Sequence, residues 1–194
     1  QKDYTYMTTT ILVDADYLDR TAFEITVNFE RMLERRVQKL DLSRWTDYVS
    51  LDAGLQPNDS QTVQVVFIYS AGKKELKNCL PANLDTELNA TAIKTNIAEF
   101  LFASCCAEQG YVTVADLYEQ SLTALLNSEN TRQLILVADT DSYAPQLRRA
   151  ISGARSDITV TLFVPQAVTG FRCRQEILTY SMMAAMNIRS EEII

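Results

Sequence analysis

The sequence predicts a three-layer α/β/α domain with a mainly parallel sheet of about five strands. Two observations predict it. Short, unbroken apolar runs at residues 10–13, 63–69, 134–137 and 158–164 alternate with longer stretches whose apolar residues recur at helical spacing. Strands that are apolar throughout belong to parallel sheets covered on both faces. Right-handed crossovers then bring the C-terminal ends of the strands to one edge, where open sheets hold their ligands.

Thr10, Ile11, Leu12 and Val13 form the first strand, which ends at Asp14-Ala15-Asp16. Thr21 and Glu24 have capping-box spacing and predict a helix beginning there. Its inner stripe is Ala22, Ile25, Phe29, Met32, Leu33, Val37 and Leu40. Residues 43–61 contain Gly54, Pro57, Asn58, Asp59 and Ser60 and read as a loop. The second strand, 63–69, is followed by Gly72-Lys73-Lys74, and residues 76–89 read as polar and irregular.

Ile93, Ile97, Phe100, Leu101 and Cys105 read as a helical stripe closed by Gly110, which places Glu99 on a helix. Thr113 caps a shorter helix, with Asp116 completing a capping box. The third strand, 134–137, ends at Asp139-Thr140-Asp141, and a helix over about 144–151 leads to the fourth strand. The last helix starts at about Arg174 and carries Met182, Met183 and Met186. It is expected to be buried, or to offer a contact surface to a protein partner or a second copy.

The 194 residues fit one domain, residues 1–194, and 47% hydrophobic residues with 5 Gly and 4 Pro are those of a folded chain. A net charge of −7 argues against a broad basic face for nucleic acid, leaving local or metal-mediated contact with RNA. The chain has no His, which removes Ser-His and Cys-His catalysis. Acid–base chemistry would have to come from carboxylates, Lys, Tyr or metal-bound water. Cys79, Cys105, Cys106 and Cys173 lack zinc-ligand spacing, and the adjacent Cys105 and Cys106 read as core residues in a reducing compartment. No signal-peptide pattern opens the chain and no apolar run approaches the ~20 residues of a membrane span. A cytoplasmic location without membrane contact is expected.

Two strands thus finish in Asp-x-Asp, Asp14 with Asp16 and Asp139 with Asp141. On a parallel sheet both pairs reach the same edge. Clustered carboxylates raise one another's pKa unless a cation or a donor intervenes. They suit Mg²⁺ or Mn²⁺, which would activate water and stabilise charge on a phosphodiester. The plainer alternative is that each Asp caps the helix that follows it. Glu99 and Asp116 are weaker candidates for a further carboxylate.

These motifs resemble the NYN branch of the PIN-like nucleases. Residues 11–18, I-L-V-D-A-D-Y-L, resemble that family's opening strand, F-I-D-G-E-N-L. Residues 134–145, L-I-L-V-A-D-T-D-S-Y-A-P, resemble its later I-L-V-S-G-D-S-D-F-x-P. The resemblance implies a Rossmann-like sheet of the PIN type and metal-dependent hydrolysis of single-stranded RNA. Asp14 would be the principal metal ligand, completed by Asp139 and Asp141. The family's Asn is Tyr17 here. A gapless match through Pro145 would put its two aspartates on Thr140 and Ser142, so Asp139 and Asp141 keep their roles only with one inserted residue. Its middle acidic motif falls on residues 111–120, where its aspartates become Thr113 and Glu119.

Two other readings stand beside it. One is a non-catalytic PIN-like interaction module with a vestigial acidic edge. The other is a phosphohydrolase resembling the haloacid dehalogenases, with Asp14 as nucleophile, Asp16 as general acid, Ser70 on phosphate, Lys73 or Lys74 as its lysine and Asp139 with Asp141 as metal acids. That family follows its D-x-D with Gly and Thr before a flap, whereas Tyr17-Leu18-Asp19 runs into a helix.

Overall fold

Apolar strands and amphipathic helices alternate through most of the computed structural model, which describes residues 8–193. In chain order they are β1 (Thr9–Asp14), α1 (Ala15–Leu33), β2 (Leu40–Asp41), α2 (Leu42–Asp52), β3 (Thr62–Ser70), β4 (Cys79–Leu80) and β5 (Thr91–Lys94). Then follow β6 (Glu99–Ala107), α3 (Val114–Asn127), β7 (Gln133–Val137), α4 (Thr140–Ser152), β8 (Thr159–Val164), β9 (Arg174–Ile177) and α5 (Leu178–Ala185).

One sheet of seven strands runs in the order β5-β6-β3-β1-β7-β8-β9, and β2 pairs separately with β4. Every pairing in the large sheet is parallel except that of the edge strand β5 with β6. Because side chains alternate across a strand, each face of the sheet builds its own core. Ile11, Val13, Val65 and Phe67 face α1, α2 and α5, where Leu18, Trp45 and Met182 are fully buried. Leu12, Ile68, Leu134 and Leu136 face α3 and α4, where Tyr118, Leu122 and Leu147 are fully buried. The fold is therefore three-layered α/β/α with a mostly parallel, Rossmann-like sheet. Among the described residues, no helix is long and apolar enough to cross a membrane.

Several elements depart from expectation. The sheet has seven strands rather than about five, because β5, β6 and β9 replace predicted helix. Ile93, Phe100 and Leu101 belong to an antiparallel pair in which Phe100 and Phe102 face inward at the strand period of two. Glu99 accordingly opens a strand. Cys105 and Cys106, expected in the core, are exposed at the far end of β6. Residues 42–52 form a helix because Asp41 caps it, accepting from the N–H groups of Ser43 and Arg44. Leu42, Trp45 and Val49 form its buried stripe.

Helix α1 begins six residues before Thr21, whose hydroxyl donates back to the Tyr17 carbonyl at 2.8 Å instead of capping. It ends at Leu33, with Glu34 left-handed, so Val37 lies beyond it and Leu40 sits in β2. Residues 76–89 hold β4 and a π-helical turn, Leu84–Leu88. Arg174 opens the edge strand β9, and the Met-rich helix starts at Leu178. Met182 and Met186 are fully buried, while Tyr180 is exposed.

Candidate functional site

The register of the sheet decides which acidic residues can meet. Asp14 closes β1, and β7, its neighbour, runs parallel and is continued by Ala138 and Asp139. Both aspartates thus emerge at the C-terminal edge of the sheet, and both are buried. They line one hollow of about 250 Å³, together with Asp16, Tyr17, Arg20, Ser142, Tyr143 and the start of α3 at Thr113, Val114 and Ala115.

Asp14 is the N-cap of α1. Its Oδ1 accepts from the Tyr17 N–H at 3.0 Å, and its Oδ2 accepts from the Tyr143 hydroxyl at 2.7 Å. The Tyr143 oxygen in turn accepts from the Asp139 N–H at 3.3 Å. Behind it, the Tyr118 hydroxyl donates to the Leu12 carbonyl at 2.9 Å, and the two tyrosine rings lie 5.7 Å apart. Burial pushes the Asp14 carboxyl above its ordinary range; the donors Tyr143 and Tyr17 oppose the rise, and Asp16 and Asp139 add to it. Burial, then the charge of Asp14, pushes the Tyr143 phenol well up, so Tyr143 serves as a neutral donor.

Asp139 is bound differently. Its Oδ2 accepts from Arg20 Nη2 at 2.7 Å and from the Ser142 hydroxyl at 2.8 Å. Arg20 reaches it from the second turn of α1, half exposed, with its guanidinium 5.6 Å above the Tyr17 ring. The Asp139 carboxylate makes no cap bond to α4.

The remaining candidates part company. Asp16 lines the hollow but accepts from the Ser70 N–H at 3.1 Å, tying α1 to the end of β3. Asp141 is exposed in the first turn of α4 and does not line the hollow. Asp116 is exposed and completes the capping box with Thr113. Glu99 lies at the opposite edge: Asp14 is level with Ile68 and Ile68 with Cys105, and Glu99 precedes Cys105 by six residues. At ~3.3 Å per residue it is roughly 20 Å away along the strand direction.

Ser70, Lys73 and Lys74 do not line the hollow either. Lys73 and Lys77 flank an adjacent groove of about 450 Å³ with Asp16, Asp19 and Arg20. A larger depression, about 840 Å³, lies at the N-terminal strand edge around Thr9, Asn58 and Gln133, away from the paired carboxylates.

Mg²⁺ demands near-octahedral oxygen coordination, and Mn²⁺ favours the same ligands. Both aspartates already accept from groups of the chain. Asp14 Oδ2 is held by a phenol and Asp139 Oδ2 by a guanidinium and a hydroxyl. Among the described residues, no group of three or more His, Cys, Asp or Glu is arranged to hold a metal.

Arg20, Ser142 and Tyr143 were missed in the sequence. The signal for Tyr143 was the extra residue in D-T-D-S-Y-A-P; nothing local marked Arg20, whose partner is 119 residues away.

Fold and edge together define a Rossmann-like α/β domain with two buried aspartates at the C-terminal edge of its central strands. The chain belongs to the family of unknown function DUF6621, which matches residues 3–193. Comparison with curated proteins and with solved structures finds no match.

Proposed function

We propose that this chain is a PIN/NYN-like domain whose acidic edge has lost metal-dependent phosphodiester hydrolysis and that acts as a non-catalytic interaction module. One observation carries the reading. Asp14 Oδ2 accepts from Tyr143, and Asp139 Oδ2 accepts from Ser142 and Arg20, so each aspartate is already answered by groups of the chain itself. Of the other acids, Glu99 lies at the other edge, Asp141 lies outside the hollow, and Asp16, which lines it, accepts from the Ser70 N–H. A cytoplasmic location belongs to the same proposal and accords with four unpaired thiols, two of them exposed.

A second reading, a Mg²⁺- or Mn²⁺-dependent ribonuclease acting on single-stranded RNA, is favoured by the convergence of Asp14, Asp16 and Asp139 on one hollow. It requires Arg20 to leave Asp139. Melting curves with each ion, and incubation with labelled single-stranded RNA, separate the two. The module reading expects no rise in melting temperature and no cleavage above buffer. Ion-dependent cleavage that Asp14→Asn abolishes would overturn it.

A further inference from the structure

We propose that Arg20 is the built-in counter-cation of the acidic edge, neutralising it in place of a divalent ion and keeping such ions out. The proposal rests on the module reading and concerns what holds that edge together.

Asp14 and Asp139 emerge from adjacent strands into one hollow, where each raises the energy of the other's charge. Edges of this kind need a cation or a set of donors. Asp14 has two donors, a backbone amide and a phenol, and both are neutral. Asp139 has one neutral donor, Ser142, so the positive charge that balances the pair must come from elsewhere. Among the residues lining the hollow, Arg20 is the one cation.

Its placement is directed rather than incidental. Arg20 sits six residues beyond Asp14, past the cap that Asp14 itself forms. The second turn of α1 therefore rises over the hollow, and the guanidinium lies over the Tyr17 ring with Nη2 2.7 Å from Asp139. The Arg20 side chain is half exposed while that of Asp139 is 11% exposed, so Arg20 approaches from solvent, the direction an ion would take. It also lines the neighbouring groove with Asp16 and Asp19.

The test uses the chain with Arg20→Gln, Arg20→Lys, Asp139→Asn and the double variant Arg20→Gln/Asp139→Asn, melted in chelator and then with excess Mn²⁺. In chelator, Arg20→Gln is expected to melt about 2–4 °C below the parent, the loss expected of one partly exposed pair in a domain of this size. Adding Asp139→Asn should recover part of that loss, because no uncompensated charge remains. Mn²⁺ should then raise the melting temperature of Arg20→Gln and leave the parent and the double variant unmoved.

Arg20→Lys keeps the charge and should stay close to the parent with no response to Mn²⁺, which remains decisive if the Gln variant does not fold. The proposal is overturned if Arg20→Gln matches the parent in chelator, if the losses of the two single changes simply add, or if Mn²⁺ shifts Arg20→Lys as much as Arg20→Gln. Failure of the module reading looks different: the unaltered chain would itself respond to Mn²⁺ and cleave RNA.

Discussion

Replacing Tyr143 by Phe removes a single oxygen from the centre of the acidic edge. The ring remains, so no cavity opens and the packing against Tyr118 survives. Asp14 Oδ2, 2.7 Å from that oxygen, loses its donor, and the carboxylate keeps only the Tyr17 amide. The Asp139 N–H loses its acceptor as well. A hydrogen bond to a charged group contributes about 1.5–3 kcal/mol and a neutral one about 0.5–1.5. With the second bond long at 3.3 Å, the total at neutral pH comes to about 2–4 kcal/mol. For a domain of this size that lowers the melting temperature by about 5–15 °C.

The cost depends on pH, with a defined sign. Asp14 has its pKa raised in the fold, so folding favours its protonated form. That contribution is fully present below the unfolded value of 3.8 and is lost as pH rises through the folded value. Tyr143 opposes the rise, so Tyr143→Phe raises the folded value further and deepens the loss at neutral pH. Near pH 4 and below, the carboxyl is increasingly protonated and the penalty should shrink toward that of neutral bonds. Urea unfolding at neutral and acid pH, followed by the fluorescence of the single, fully buried Trp45, measures both. A neutral-pH loss below about 0.5 kcal/mol, or one that grows toward acid, would refute the account of Asp14 as a buried charge held by a phenol.

Thiol labelling tests the placement of β6. Cys105 and Cys106 should react quickly in the folded chain; Cys173, half-buried with its thiol pushed up to about 11, should lag, and buried Cys79 should wait for unfolding. A single fast thiol would mean that the end of β6 is covered. Asp141→Asn should change stability by no more than about 0.5 kcal/mol, because the side chain is exposed and outside the hollow. A larger loss in urea unfolding would give Asp141 a partner that the geometry does not provide.

The central strands and their terminal aspartates were legible because a short, wholly apolar run that stops at Asp is too brief for a helix and too apolar for a loop. The capping box of Thr113 and Asp116 was legible because it is local. Residues 93–105 were not, since Ile93, Ile97, Phe100 and Leu101 satisfy a helical stripe as readily as a hairpin. Phe100 and Phe102, both buried at a spacing of two, carried the strand signal. The same ambiguity hid β9 ahead of the Met-rich helix. Helix α2 was obscured because Gly54 and Pro57, which follow it, coloured the reading of residues 43–52. That Asp14 and Asp139 reach one edge followed from strand direction, but that β1 and β7 are neighbours, and which groups bind the two carboxylates, did not. Arg20 and Tyr143 act across 119 and 129 residues of chain, and no periodicity reports such pairs.

Strand order cannot discriminate among the functional readings, because nuclease, phosphatase and module all accept β1 flanked by β3 and β7. What sets the surroundings of Asp14 is the backbone just after β7. Asp139-Thr140-Asp141-Ser142 makes a first turn, and the backbone then leaves helical geometry at Tyr143, with φ −140° and ψ 35°. Helix α4 resumes around Pro145, whose missing N–H and fixed φ suit a helix start better than a helix interior. The break points the Tyr143 side chain inward, where its ring meets Tyr118 and its hydroxyl meets Asp14. The break at Tyr143 thus supplies Asp14 with a donor from within the chain, and it is this local geometry rather than the sheet that sets the state of the edge.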